Sequence, residues 1–236
     1  MPTTHFRNGV SNQIPGNPLF EYPYLDPFKY YSYANDFFTY HADEFTITTT
    51  EAGTGSATEA LESGAGGFLK LTNAAGDDDL DFLQLKGEAF KYVAGKNLFF
   101  KAKFKVSDAT QSDFVMGLGI TDTSPLDTTD GIFFIKADGA ATMDHLIEKN
   151  NSATTNSGVA TIANDTFVTA AFHYDPSGNG GDGSMRIFID DVFVKEETTL
   201  TNIPDDEEMT ISFGIQNGEA VAKTMSIDYV FAAVER

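Results

Sequence analysis

Between residues 97 and 106, Phe100, Ala102, Phe104 and Val106 alternate strictly with Lys101, Lys103 and Lys105. A period of two puts successive side chains on opposite faces of an extended chain, so this segment reads as a strand with one buried and one wet face. Residues 113–121 repeat the pattern with Phe114, Met116, Leu118 and Ile120 on one face. Gly117 and Gly119 lie opposite, where a missing side chain admits close approach of a covering group. The same reading gives strands at 37–41, 45–50, 67–73, 80–85, 131–137, 142–149, 166–174, 185–190, 192–196, 209–215 and 224–232. No run of ten or more residues keeps a helical period, and the one helical turn expected is at 86–93. The fold class is therefore all-β, a two-sheet antiparallel sandwich. Asp190 and Asp191 tolerate positive φ and form the corner of a tight hairpin, while the glycine-rich segment 175–183 reads as an exposed loop.

At 236 residues the chain can bury a sizeable core, and a β-sandwich of this length commonly forms one domain with appendages. Its 35 acidic residues against 15 basic ones give a net charge of -20, which repels a phosphate backbone and sets aside nucleic acid and anionic membranes as partners. The chain has no cysteine, so disulfides and thiolate metal sites are excluded and a reducing compartment fits. The first ten residues carry His5, Arg7 and Asn8 without an apolar core, and no stretch approaches the ~18 apolar residues of a membrane span. Synthesis in the cytoplasm is the expectation.

Residues 1–35 differ from the rest. Five of the eight prolines (Pro2, Pro15, Pro18, Pro23, Pro27) fall there, which excludes regular helix or a central strand. The segment also holds Phe6, Phe20, Tyr22, Tyr24, Phe28, Tyr30, Tyr31 and Tyr33, too many aromatics for a disordered tail. It reads as an extended arm, followed by a sandwich domain over 36–236. Such an arm either wraps its own sandwich or docks on another subunit. Docking is preferred, because proline lowers the entropy lost on ordering and tyrosine supplies contact area with a polar tip. Phe6, Arg7, Phe20, Tyr22, Tyr24, Phe28, Tyr30 and Tyr31 are the candidate partner-binding residues.

The order of a strand ending His173-Tyr-Asp175, a glycine loop, Met185-Arg-Ile-Phe-Ile-Asp-Asp-Val192 and a closing strand Met225-Ser-Ile-Asp-Tyr-Val-Phe231 resembles the concanavalin A-like lectin/glucanase jelly roll, laminin G-like domains included. A second resemblance runs nearly end to end. Phe6-Arg-Asn-Gly-Val10, the segment from Thr48 to Ala60 (TTTEAGTGSATEA), and Ile215-Gln-Asn-Gly-Glu-Ala220 look like virion structural proteins of tailed bacteriophages. That likeness implies a capsid-associated protein, similar to head decoration or cement proteins.

The glucanases that the first resemblance brings in place two or three acids at alternating positions of one strand, so that nucleophile and acid/base share a cleft. The nearest match is Thr142-Met-Asp-His-Leu-Ile-Glu148, where Asp144 and Glu148 keep the spacing and Thr142 stands where the nucleophilic Glu would be. Trp, the usual sugar-stacking residue, is absent. No Gly-x-Ser-x-Gly or phosphate loop is present, and His5, His41, His145 and His173 lack zinc spacing. Asp77, Asp78 and Asp79, or Asp175, Asn179 and Asp182, could bind a hard cation, but acids beside glycine are more often solvated turns. His173, alternating with Ala171 and Thr169, reads as a buried, hydrogen-bonded residue.

The sequence thus leads to these expectations: no enzyme, no catalytic residue, no metal and no cofactor. The chain is read as a virion structural protein that binds the major capsid protein through its arm, forms a homo-oligomer, a trimer by preference, and resides on the capsid surface. The alternative is a carbohydrate-binding module, with glycan as the partner.

Overall fold

The computed structural model describes residues 28–236. In chain order the strands are β1 (Tyr30–Asn35), β2 (Phe45–Thr50), β3 (Thr58–Glu62), β4 (Phe68–Thr72), β5 (Leu80–Leu85), β6 (Leu98–Val106), β7 (Ser112–Gly119), β8 (Gly131–Lys136), β9 (Thr142–Lys149), β10 (Ser152–Thr161), β11 (Val168–Asp175), β12 (Ser184–Ile189), β13 (Val192–Glu197), β14 (Thr210–Asn217) and β15 (Thr224–Glu235). Helix among the described residues is limited to three short 3₁₀ turns at Ala42–Glu44, Pro125–Asp127 and Asn179–Gly181, and no helix there is long and apolar enough to cross a membrane.

Two antiparallel sheets result. Sheet one runs β13-β12-β11-β6-β15-β4-β3, with β1 also paired to β15; sheet two runs β10-β9-β8-β7-β14-β5-β2. This is the two-sheet antiparallel sandwich that the alternation predicts, with the jelly-roll arrangement that the first resemblance implies. Between the sheets lie Phe100, Phe104 and Phe172 from sheet one and Phe114, Phe134 and Phe213 from sheet two, all buried. Phe104 meets Phe114 edge to face with centroids 5.2 Å apart, and Phe134 meets Phe172 at 6.0 Å, so aromatic pairs bridge the layers. The lysines of β6 point away from this core, as their alternation requires.

Several expectations change. The strand at 37–41 is a bend: Phe37 adopts φ 48, with its ring fully buried, as the chain leaves sheet one for sheet two. The turn at 86–93 is not helical; Phe90 there forms a single bridge to Met209. In β11 it is Val168, Ala170, Phe172 and Tyr174 that face the core, so His173 points outward. It stacks on Phe99 with centroids 4.2 Å apart and its Nε2 lies 2.9 Å from Asn97 Oδ1. The larger side chains claim the interior where both phases of a strand are apolar enough to be buried. The Asp190-Asp191 corner forms as read, both residues at positive φ (49 and 63), and joins β12 to β13. Residues 30–35, read from the sequence as the end of the arm, form β1 and pair with β15 from Tyr30 opposite Glu235 to Asn35 opposite Val230, so they belong to sheet one.

Candidate functional site

The outer face of sheet two departs from a simple sandwich. Leu80 and Phe82 of β5, Val115 of β7 and Phe133 of β8 form a buried cluster on that face, separate from the main core, with Leu126 and Ile135 packed against it. Glycines make the room. Gly119 and Gly131 are register partners on β7 and β8, and a Cβ at either would lie within 2.3 Å and 2.1 Å of the Phe133 ring. A Cβ at Gly214 of β14 would meet the Phe82 ring at 2.3 Å. Two phenyl rings therefore lie down on a bed of backbone, which is the close approach that Gly117 and Gly119 forecast.

The segment 121–130 crosses this layer. Its 3₁₀ turn Pro125–Asp127 sets Leu126 over the cluster. One end is held where the Thr121 N–H donates to Glu88 (2.6 Å) and the Asp122 N–H to Gln84 Oε1 (3.0 Å). At the other end the Asp130 carboxylate accepts from the Asn150 N–H (2.9 Å) and the Thr129 carbonyl from the Asn151 N–H (3.0 Å). A cavity of about 140 Å³ opens on the β8–β9 side of the strap, lined by Asp113, Val115, Leu126, Phe133, Leu146 and Glu148 among others. A second, of about 200 Å³, lies toward β5 and is lined by Thr50, Leu80, Gln216 and residues 123–127.

Strand β9 brings its acids to this face. Asp144 pairs in register with Ile135, and Glu148 with Gly131, while Met143, His145 and Ile147 point into the core. Asp144 accepts the Gly158 N–H at 2.7 Å. Burial pushes the Glu148 carboxyl above its ordinary range, and the charges of Asp127 and Asp130 push the same way. Asp113 is also raised by burial, although its carboxylate accepts the Asp138 N–H at 2.9 Å. A carboxyl held toward its protonated form can donate a proton or a hydrogen bond to an oxygen of a bound ligand. Thr142 is exposed at the end of the strand, so the acid spacing predicted on β9 is realised on one face, without a carboxylate at its first position.

Other predicted residues sit elsewhere. Phe6, Arg7, Phe20, Tyr22 and Tyr24 lie outside the described residues. Phe28 is 77% exposed. Tyr30 packs against Phe99 (6.3 Å) and Tyr31 stacks on Phe90 (6.1 Å), both as part of β1. Asp79 is buried and accepts N–H groups from Ala52 and Gly76, and Asp175 accepts from the N–H and hydroxyl of Ser177; both work as turn caps. Among the described residues no three His, Asp or Glu side chains gather to hold a metal.

Sequence reading missed one polar site altogether. Asp81 of β5 points between the sheets, fully buried, with no hydrogen-bond donor to either oxygen, and the Tyr40 hydroxyl beside it is buried and unpaired too. Burial first, then the charge of Glu59 on β3, drive the Asp81 carboxyl up to about 8. Its neighbours in the sequence, Leu80 and Phe82, disguise it as the wet position of an ordinary strand.

No protein-family model and no curated protein sequence matches the chain. Solved structures do. The endo-1,3-beta-glucanase of Streptomyces sioyaensis superposes with a TM-score of 0.63 at 12% identity, over 87% of this chain and 96% of that one. A Bacteroides ovatus GH16 protein of a mixed linkage glucan PUL, in complex with a G4G4G3G product, gives 0.60 at 16% identity over 84% and 98%. The Emp46p carbohydrate recognition domain, in its potassium-bound form, gives 0.58 at 11% over 84% and 94%. The chain thus has the concanavalin A-like jelly roll. The expectation that it is no enzyme is corrected at this point. The solved structures that share its fold include glucan-degrading enzymes, so the reading of the chain as no enzyme does not stand.

Proposed function

We propose that the protein binds a glycan on the outer face of sheet two, in the groove that holds Glu148, Leu146, Phe133 and Leu126. The observation that carries this reading is the face itself. A sheet surface that would ordinarily meet water carries a second aromatic layer, two cavities and a carboxyl with raised proton affinity. Apolar walls with a few convergent polar groups are what a small-ligand site needs. The fold shared with two glucanases and a carbohydrate recognition domain supports the same class of ligand. Glu148 is the group placed to act on a ligand oxygen, as a hydrogen-bond donor or as an acid.

A glycan array followed by calorimetry tests the reading, with release of reducing ends assayed on every glycan bound. Filling the cavity with Leu146→Trp abolishes binding, and Glu148→Gln weakens it about tenfold with an unchanged melting temperature. Full affinity in the Leu146→Trp variant would place the ligand elsewhere.

A second reading, attachment to a virion surface, takes its support from the sheet edge. Strand β13 ends sheet one and leaves Val192, Phe193 and Val194 63%, 47% and 41% exposed. An apolar edge strand suits a protein partner. In this reading the major capsid protein is the partner, the N-terminal segment adds contacts, and a trimer is the assembly. Cosedimentation of the protein with particles lacking it, and its loss in a Phe193→Asp variant, is the check.

A further inference from the structure

We propose that the strap at residues 121–130 is a fixed partition of the groove, and that the site therefore takes the end of a neutral glycan chain rather than the interior of a polymer. The inference rests on the glycan-binding reading. Pro125 and Leu126 wall both cavities, so the two are compartments of one groove with the strap between them. Leu126 sits on the Leu80, Phe82, Val115 and Phe133 cluster, at the middle of the sheet where β7 and β14 run. A continuous polymer laid across the strands from β9 to β2 would have to pass through that side chain.

The strap is not poised to swing away. Its two ends are anchored, and bonds within the strap stiffen what lies between: the Asp127 N–H donates to the Ser124 carbonyl (2.9 Å), the Ser124 N–H to Asp122 (2.7 Å) and the Thr128 hydroxyl to the Pro125 carbonyl (3.0 Å). Leu126 adds apolar burial to these bonds. Each compartment is smaller than the ~300 Å³ at which pockets for drug-sized ligands begin, which fits a terminal unit or two and not a long segment. Charge selects further. Asp113 and Glu148 line the first compartment, Asp127 lines the second, and Asp130 stands beside Glu148; Lys136 is the one cation among the lining residues of the two. Its Nζ is turned to the Thr110 carbonyl at 3.3 Å. A uronate, sulfate or phosphate would meet carboxyls that outnumber the one cation, Asp113 and Glu148 against Lys136 in the first compartment and Asp127 with no lining cation in the second, whereas a neutral hydroxyl-rich end finds hydrogen-bonding partners in both.

Calorimetry on the full chain settles this, using a neutral oligosaccharide series of two to six units in the linkage that an array selects, the parent polymer, and an oligouronate of matched length. The expected result is affinity that stops rising after two or three units, changing no more than about twofold from three units to six, with the polymer binding only in proportion to its ends and the oligouronate not at all. Replacing residues 123–128 by two glycines, or the milder Leu126→Ala, restores a gain with each added unit. Affinity that climbs steadily to six units in the unaltered chain overturns the partition while leaving glycan binding intact. Preference for the oligouronate overturns the charge argument. No binding of any glycan, by the chain or by either strap variant, removes the glycan reading and this inference together.

Discussion

The two outer faces of this sandwich obey the same alternation and end in opposite environments. On sheet one, the residues opposite the core in β6 are Phe99, Lys101, Lys103 and Lys105, half-exposed, with Lys101 paired to Asp191 and Lys103 to Asp228 at 2.6 Å. On sheet two, the residues opposite the core in β7 are Asp113, Val115, Gly117 and Gly119, the last three buried. Lysine marks a face that water reaches, because its charge cannot be taken from solvent cheaply. Glycine in the same place marks a face on which another part of the protein rests. What fills the off-core phase of a strand thus tells whether a third layer exists.

The largest effect should come from refilling that phase. Gly119→Val drives a Cβ and its two methyl groups into the Phe133 ring, and a loss of about 3 kcal/mol by denaturant titration is expected. The counterpart on sheet one, Lys105→Val, should move stability by no more than about 0.5 kcal/mol, since only its contact over the Phe167 ring (5.3 Å) is lost. Equal costs at the two positions would erase the distinction between the faces.

Between the faces, Asp81 supplies a pH-dependent effect. Its carboxyl titrates near 8 in the folded protein against about 3.9 in the unfolded chain, so the folded state holds the proton more tightly. Stability is then unaffected by this group below about pH 4 and declines as pH rises toward 8, levelling off above it. Asp81→Asn removes the decline. The variant should gain roughly 2–4 kcal/mol on the wild type at pH 9 and much less at pH 4, read from paired thermal melts. Parallel melting curves across that range would mean that the carboxyl is not buried as described.

The smallest effect belongs to the exposed corner of sheet one. Asp191→Gly should stabilise by about 0.5 kcal/mol, because the second corner residue sits at φ 63, which glycine adopts freely. The lost pair with Lys101 is surface-exposed and costs little.

How far the sequence could be read follows from the same contrast. Strand β9 was bounded at 142–149 as the structure has it, and β6 within one residue, because each has a buried phase and a wet phase. Strands β1, β3 and β10 carry no such signal. In β10 only Asn156 is buried, the remainder being Ser, Thr, Ala, Val and Gly at an edge paired with β9 alone, so no hydrophobic period exists to detect. The acid spacing on β9 was legible, as was the covering implied by Gly117 and Gly119. The strap was not, since a loop's path over a sheet leaves no period in its own residues. The face of His173 is not legible, because Thr169-Ala-Ala-Phe-His-Tyr offers acceptable burial in either phase and only the size of Phe172 and Tyr174 decides it.

Strand order also bears on how the molecule is made. Sheet one is closed by β15, which lies between β6 and β4, and sheet two by β14, which lies between β7 and β5. These are the last two strands in chain order, and each is an interior strand of its sheet. During synthesis β4, β5, β6 and β7 emerge with the edges that will receive them unpaired, and each sheet remains two separate halves until β14 and β15 are out. Pairing across such sequence separations is slow, and open apolar edges are sticky while they wait. The -20 charge carried by the chain then has a use before folding is complete: it keeps nascent copies apart during the interval in which neither sheet can close.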